Sequence, residues 1–174
     1  MTKNRLTMFS TGRFSRWLLY ALSLLALAGT AFLFLSRSDG VAADPTSLII
    51  DVNDQAVVDR GRAVYERWCA SCHGIKLDGQ PNWRERLSSG RMPAPPHNAS
   101  GHTWHHPDAA LFAMTKHGLV PGVMAPDGYE SDMPAFSNTL TDPEIVAVLS
   151  YIKSTWPEEI RAKQREITAR FLPR

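Results

Sequence analysis

The longest apolar run in the chain covers residues 17–35, WLLYALSLLALAGTAFLFL, 19 positions without a charge. A helix crossing a bilayer needs about 20 such residues. No polar face interrupts the run, which argues against a helix lying on a globular core. Further on, apolar positions return with helical spacing. Asn53-Asp54 marks a helix start, and Val57, Gly61, Val64 and Trp68 follow at intervals of four, three and four. Gly61 lowers the propensity of that helix, a cost accepted where another helix crosses closely. A second helix fits Pro107 to Lys116, with Leu111, Phe112 and Met114 apolar and Gly118 as its stop. A third opens on Thr141-Asp142-Pro143-Glu144, a capping-box pattern. Its stripe is Ile145, Val148, Leu149, Ile152 and Trp156, and Pro157 ends it. Residues 74–106 and 118–140 are rich in Gly and Pro and read as loops, and no strand-like alternation is present. The pattern predicts an all-α fold of about three core helices with long loops, preceded by one N-terminal transmembrane helix.

Charge divides the chain. Lys plus Arg is 19 and Asp plus Glu is 17, a net of +2. Lys3, Arg5, Arg13 and Arg16 all fall within residues 1–35, which hold no acid; the remainder therefore carries 15 basic and 17 acidic residues, a net of −2. A nucleic-acid binder needs a basic face, and the body supplies none. The expected organisation is a basic cytoplasmic leader (1–16), a transmembrane anchor or signal segment (17–35), a linker (36–52), a folded domain (53–157) and a charged C-terminal tail (158–174) read as a solvated helix. The linker has a root-mean-square reach of roughly 20 Å. Basic residues ahead of the apolar run keep the N-terminus in the cytoplasm and send the body across the membrane. Apolar length favours a permanent single-pass anchor in the cytoplasmic (inner) membrane with the domain in the periplasm or outside. Cleavage after Val41-Ala42-Ala43 is the alternative.

The two cysteines cannot build a disulfide scaffold. They lie in Cys69-Ala70-Ser71-Cys72-His73, and C-x-x-C-H is the attachment pattern of a c-type haem. Two thiols three residues apart on one helical turn can each add to a vinyl group of the porphyrin, and the next residue, His73, reaches the iron. A thioredoxin-like dithiol would sit near a βαβ pattern, which is missing. A structural zinc site would need a second ligand pair. One motif implies one covalent haem c, and a large apolar ligand also explains loops of this length in a small domain. The sixth iron ligand has several candidates, namely four methionines and the five other histidines. Met114 belongs to the apolar pattern of the middle helix and reads as core. Met92 follows the haem motif in a Pro-rich loop. Met133, stiffened by Pro134, is the first choice in the loop between the middle and last helices, and Met124 the second.

Taken together, Gly61-Arg62-x-x-Tyr65-x-x-x-Cys69-x-x-Cys72-His73-Gly74, then Met133-Pro134-Ala135-Phe136, then a capped helix ending Tyr151-Ile152-Lys153-Ser154-Thr155-Trp156-Pro157, resemble a class I c-type cytochrome of the bacterial single-haem, membrane-anchored type. The resemblance implies a small cytochrome c fold whose first and last helices cross near Gly61. It implies a one-electron carrier between redox protein partners, with iron cycling between ferrous and ferric, rather than an enzyme. It also implies a proline carbonyl accepting the ring N–H of His73, with Pro93, Pro95 and Pro96 as candidates.

His97, His102, His105 and His106 crowd around Trp104. A second metal site, copper for instance, is one reading of the His97–His106 loop. A polar loop at the haem edge, bonding a propionate, is the simpler one. Two other functions are consistent with these motifs: a haem enzyme subunit of the peroxidase or oxidase type whose methionine is displaced, and a metal-handling or sensor protein using the histidine loop.

Overall fold

The computed structural model describes residues 48–172. The apolar run at 17–35, where the transmembrane helix was expected, lies outside these residues. Among the described residues no helix is long and apolar enough to cross a membrane.

Among the described residues five α-helices occur in order: α1 (Gln55–Trp68), α2 (Ala70–His73), α3 (Asp108–His117), α4 (Asp142–Ser154) and α5 (Glu158–Phe171). A single 3-10 turn, Thr103–His105, interrupts the first long loop. No strand occurs among the described residues, only isolated bridges such as Met92 with Ser131. The all-helical expectation therefore stands.

Local chemistry accounts for the helix boundaries. The Asp54 carboxylate accepts from the N–H groups of Ala56 and Val57 and so starts α1. In α4 the capping box read at Thr141 forms in both directions, with Glu144 reaching back to the Thr141 N–H at 2.8 Å. The glycine stop after α3 also holds, since the Gly118 N–H bonds to the Met114 carbonyl.

Helices α1 and α4 cross at Gly61. A Cβ there would collide with the main-chain carbonyl of Ala147, so this contact admits no side chain. The cost of glycine inside a helix is the condition for this close crossing. The buried face of α1 differs from the expected stripe. Val58, Gly61 and Tyr65 are buried, while Val57 and Val64 are half-buried and Trp68 is exposed. Tyr65 belongs to this face: it is fully buried, and its hydroxyl donates to the Gly74 carbonyl at 2.8 Å. Tyr65, Ile145, Val148 and Trp156 form the centre of the core.

The C-terminal segment is helical as expected, but it is not solvated all round. Gln164 and Thr168 of α5 are buried. The Gln164 amide donates to Asp108 Oδ1 at 2.7 Å and to the His106 carbonyl at 3.1 Å, which ties α5 to the start of α3. A composition mixed in charge hides this polar but buried face.

Candidate haem site

Residues 69–73 follow α1 without a break. The Cys69 N–H bonds to the Tyr65 carbonyl at 2.9 Å and closes α1. The N–H groups of Cys72 and His73 both return to the Cys69 carbonyl, at 3.1 and 2.9 Å. The motif is thus wound as one helical turn, the conformation its spacing predicts. Cys69 is partly buried and Cys72 exposed, and neither is in a disulfide. Burial, with Cys72 adding to it, pushes the Cys69 thiol up to about 11, so it is neutral at ordinary pH.

These residues stand at the rim of a largely apolar cleft of about 270 Å³. Its wall includes the buried side chains of Leu111, Val148, Leu149, Ile152 and Phe136, together with Met133. Trp68 and Leu87 also border it and stay 40% and 48% exposed. Large apolar side chains left open along a cleft suit an apolar ligand.

His73 is buried on this wall. Its Nδ1 lies 2.8 Å from the Pro95 carbonyl oxygen, so Pro95 is the member of the expected proline set that meets the ring. A carbonyl only accepts, so Nδ1 carries the hydrogen and Nε2 keeps its lone pair for a metal. Burial lowers the His73 pKa and the Pro95 hydrogen bond partly opposes this; the neutral imidazole is the form a metal takes. The Pro95 carbonyl is placed by a tightly held loop. The Gly79 N–H bonds to the His73 carbonyl at 2.8 Å, and the Gln80 N–H and side chain pair with the main chain of Ala94 at 2.9 and 2.8 Å. Gly79 has φ +69°, and a Cβ there would strike the Pro95 main chain, so glycine permits the approach.

Met133 reaches the same cleft from the second long loop. That loop is fixed to the first: Met92 N–H donates to the Glu130 carbonyl at 2.8 Å, and Arg91 bonds to the Ser131 carbonyl at 2.7 Å and pairs with Asp132 at 2.6 Å. The Phe136 N–H then binds the Thr115 carbonyl of α3 at 3.2 Å. Among the described residues, the methionines that line the cleft are Met114 and Met133; Met92 and Met124 do not.

His97 stacks on His73, with ring centroids 3.9 Å apart and planes at 22°. It therefore shares the His73 side of the cleft and is unsuited to supply a ligand from the opposite face. Burial and the adjacent His73 hold its pKa well below the ordinary value, so the stacked rings do not repel as cations. Nothing in the sequence pattern signalled this pair. His102, His105 and His106 pack ring against ring, with His102 centroids 5.1 Å from His105 and 4.8 Å from His106. No group of three or more His, Cys, Asp or Glu side chains able to hold a metal occurs among the described residues. The second-metal reading of the His97–His106 loop gains no support from this arrangement.

A helical domain that brings a C-x-x-C-H turn, a histidine with a free Nε2 and a thioether sulfur to one apolar cleft is a c-type cytochrome domain. Residues 56–152, just over half of the chain, match the family described as cytochrome c oxidase, cbb3-type, subunit III, and the chain belongs to that family. Comparisons with curated proteins and with solved structures gave no match. Membership carries haem-based electron transfer with covalently bound haem c, and with it redox protein partners.

Proposed function

We propose that this chain is a one-electron carrier holding a single haem c, anchored to the outer face of the cytoplasmic membrane by residues 17–35. In this reading Cys69 and Cys72 would hold the haem as thioethers, and His73 and Met133 would ligate its iron. The haem supplies the ferrous–ferric couple. The chain's residues do the rest. Pro95 fixes the His73 tautomer through Nδ1, which raises the basicity of Nε2. Met133 offers a soft, neutral sulfur that favours ferrous iron and so raises the potential. Leu111, Val148, Leu149 and Ile152 keep water from the iron, and burial of this kind favours the less charged, reduced state. With Met133 as its sixth ligand the iron would have no open position for substrate, so we read the chain as a carrier and not an enzyme. The observation that carries the proposal is the joint placement of Cys69, Cys72, His73 and Met133 on one apolar cleft.

The family description favours a second reading, a subunit passing electrons within a cbb3-type oxidase. Isolation from detergent-solubilised membranes separates the two: a free carrier runs as a small haem protein, an oxidase subunit with larger haem-bearing partners.

Attachment is tested by acid-acetone extraction of holoprotein from an attachment-competent host. Haem should stay on the wild-type chain and be lost when Cys69 and Cys72 are both replaced by Ala. Haem that still resists extraction from that variant overturns the attachment. The anchor is tested by N-terminal sequencing of the mature protein, and Asp44 as the first residue would leave a soluble carrier instead.

A further inference from the structure

One hydrogen bond, from Nδ1 to the Pro95 carbonyl, orients the His73 ring. The torsion that turns an imidazole about its Cβ–Cγ bond has a broad energy well, so one such bond confines the plane only loosely. The His97 ring stacks against that of His73, with centroids 3.9 Å apart. His97 is itself held at three points. Its main-chain N–H donates to the Leu77 carbonyl at 2.9 Å, and its carbonyl accepts from Trp156 Nε1 at 2.7 Å. Its Nδ1 pairs with the Thr103 hydroxyl at 2.7 Å. Trp156 and Thr103 are both buried, so these anchors belong to the core. The edge of Tyr65 approaches the ring at 6.3 Å between centroids, with planes at 71°.

We propose that His97 is a positioning residue that sets the plane of the His73 imidazole. The inference rests on His73 being the axial ligand. The plane of an axial imidazole decides which iron d orbital its π system meets, and hence how unpaired spin spreads over the ferric porphyrin. His97 acts on that distribution without touching iron: it offers a flat surface that His73 cannot rotate through. An aliphatic side chain would fill the space but leave the ring angle loose.

The test uses the ferric holoprotein and the hyperfine-shifted haem-methyl resonances in its proton NMR spectrum. His97→Ala should keep a six-coordinate low-spin optical spectrum but change the spread or order of the methyl shifts. His97→Phe, which restores a flat ring, should return the pattern toward wild type. Thr103→Val removes one anchor of the ring and should move the pattern in the same direction as His97→Ala, by less. A His97→Ala protein with a lower melting temperature and an unchanged methyl pattern would show packing alone and overturn the proposal. If His97→Ala does not accumulate, Thr103→Val decides: a shifted pattern supports the positioning role, and an unshifted one rejects it. The underlying ligand assignment fails separately, if His73→Ala retains the axial imidazole signature or His97→Phe loses it.

Discussion

Lys153 Nζ sits between the two carboxylate oxygens of Asp108, 2.7 Å from one and 2.8 Å from the other, with both side chains almost wholly buried. The same ammonium donates to the Ile50 carbonyl at 2.9 Å, and Asp108 accepts the Ile50 N–H at 2.8 Å. Two charges thus join α3, α4 and the segment entering the domain. Burial still pulls the Lys153 pKa below its ordinary value, although Asp108 opposes the shift. Removing one partner strands the other in the core, which costs about 3–5 kcal/mol. Lys153→Met should therefore lower the unfolding free energy by about that amount. Adding Asp108→Asn, which removes the stranded charge, should recover part of the loss. Denaturant unfolding of the two variants and wild type measures both effects.

Met133 is the expected distal ligand. Met133→Ala should remove the sulfur-to-iron absorption band at the red end of the ferric spectrum, lower the potential and open the iron to carbon monoxide. Each tenfold loss of preference for ferrous over ferric iron shifts a one-electron potential by about 59 mV. Met124→Ala and Met114→Leu should leave the band in place. Loss of the band in either of those variants, with retention in Met133→Ala, reassigns the ligand.

The crossing of α1 and α4 gives a steric prediction. Gly61→Ala gains about 0.5–1 kcal/mol in helix propensity. It also drives a methyl group into the Ala147 carbonyl, which forces the helices apart. Overpacking of this kind costs about 1–3 kcal/mol, so the net change should be a loss of stability, and Gly61→Val should lose more. Thermal unfolding of the two variants should rank them in that order below wild type.

Acid should weaken the start of α4. The Thr141 main-chain N–H and hydroxyl both bond to Glu144 and hold its pKa below the ordinary 4.5. A lowered folded pKa contributes stability that is present above 4.5 and lost as pH falls through the folded value. Glu144→Gln keeps an acceptor and has no proton to gain in this range. The advantage of wild type over Glu144→Gln should therefore shrink as pH drops below 4.5, as followed by melting temperature across a pH series.

The legible parts were those written in short local patterns. Thr141 and Glu144 announce a helix start within four residues, Gly118 a stop, and Cys69 to His73 a ligand with its own spacing rule. Gly61 announced a crossing because a glycine inside a helix needs a reason. What stayed hidden depends on partners distant in sequence. The α1 stripe lies one position out of phase with the buried face, because α1 packs on α4, with Gly61 against Ala147 and Tyr65 against Tyr151. Choosing Pro95 over Pro93 and Pro96 needed the fold of the 79–80 segment against Ala94. The buried face of α5 is made by Gln164 and Thr168, polar residues that a hydrophobic pattern does not count. The Asp108–Lys153 pair looks like ordinary surface charge until three elements close around it.

The Gly61–Ala147 contact also sets a timetable. It joins chain positions 86 residues apart, and the earlier one lies on the helix that leads directly into Cys69. A ribosome adds about 5–20 residues each second, so Ala147 emerges about 4–17 s after Gly61. A helix forms in about a microsecond, yet α1 has no α4 to dock against throughout that interval. The cysteine-bearing turn therefore leaves the ribosome seconds before the helix that completes its side of the core.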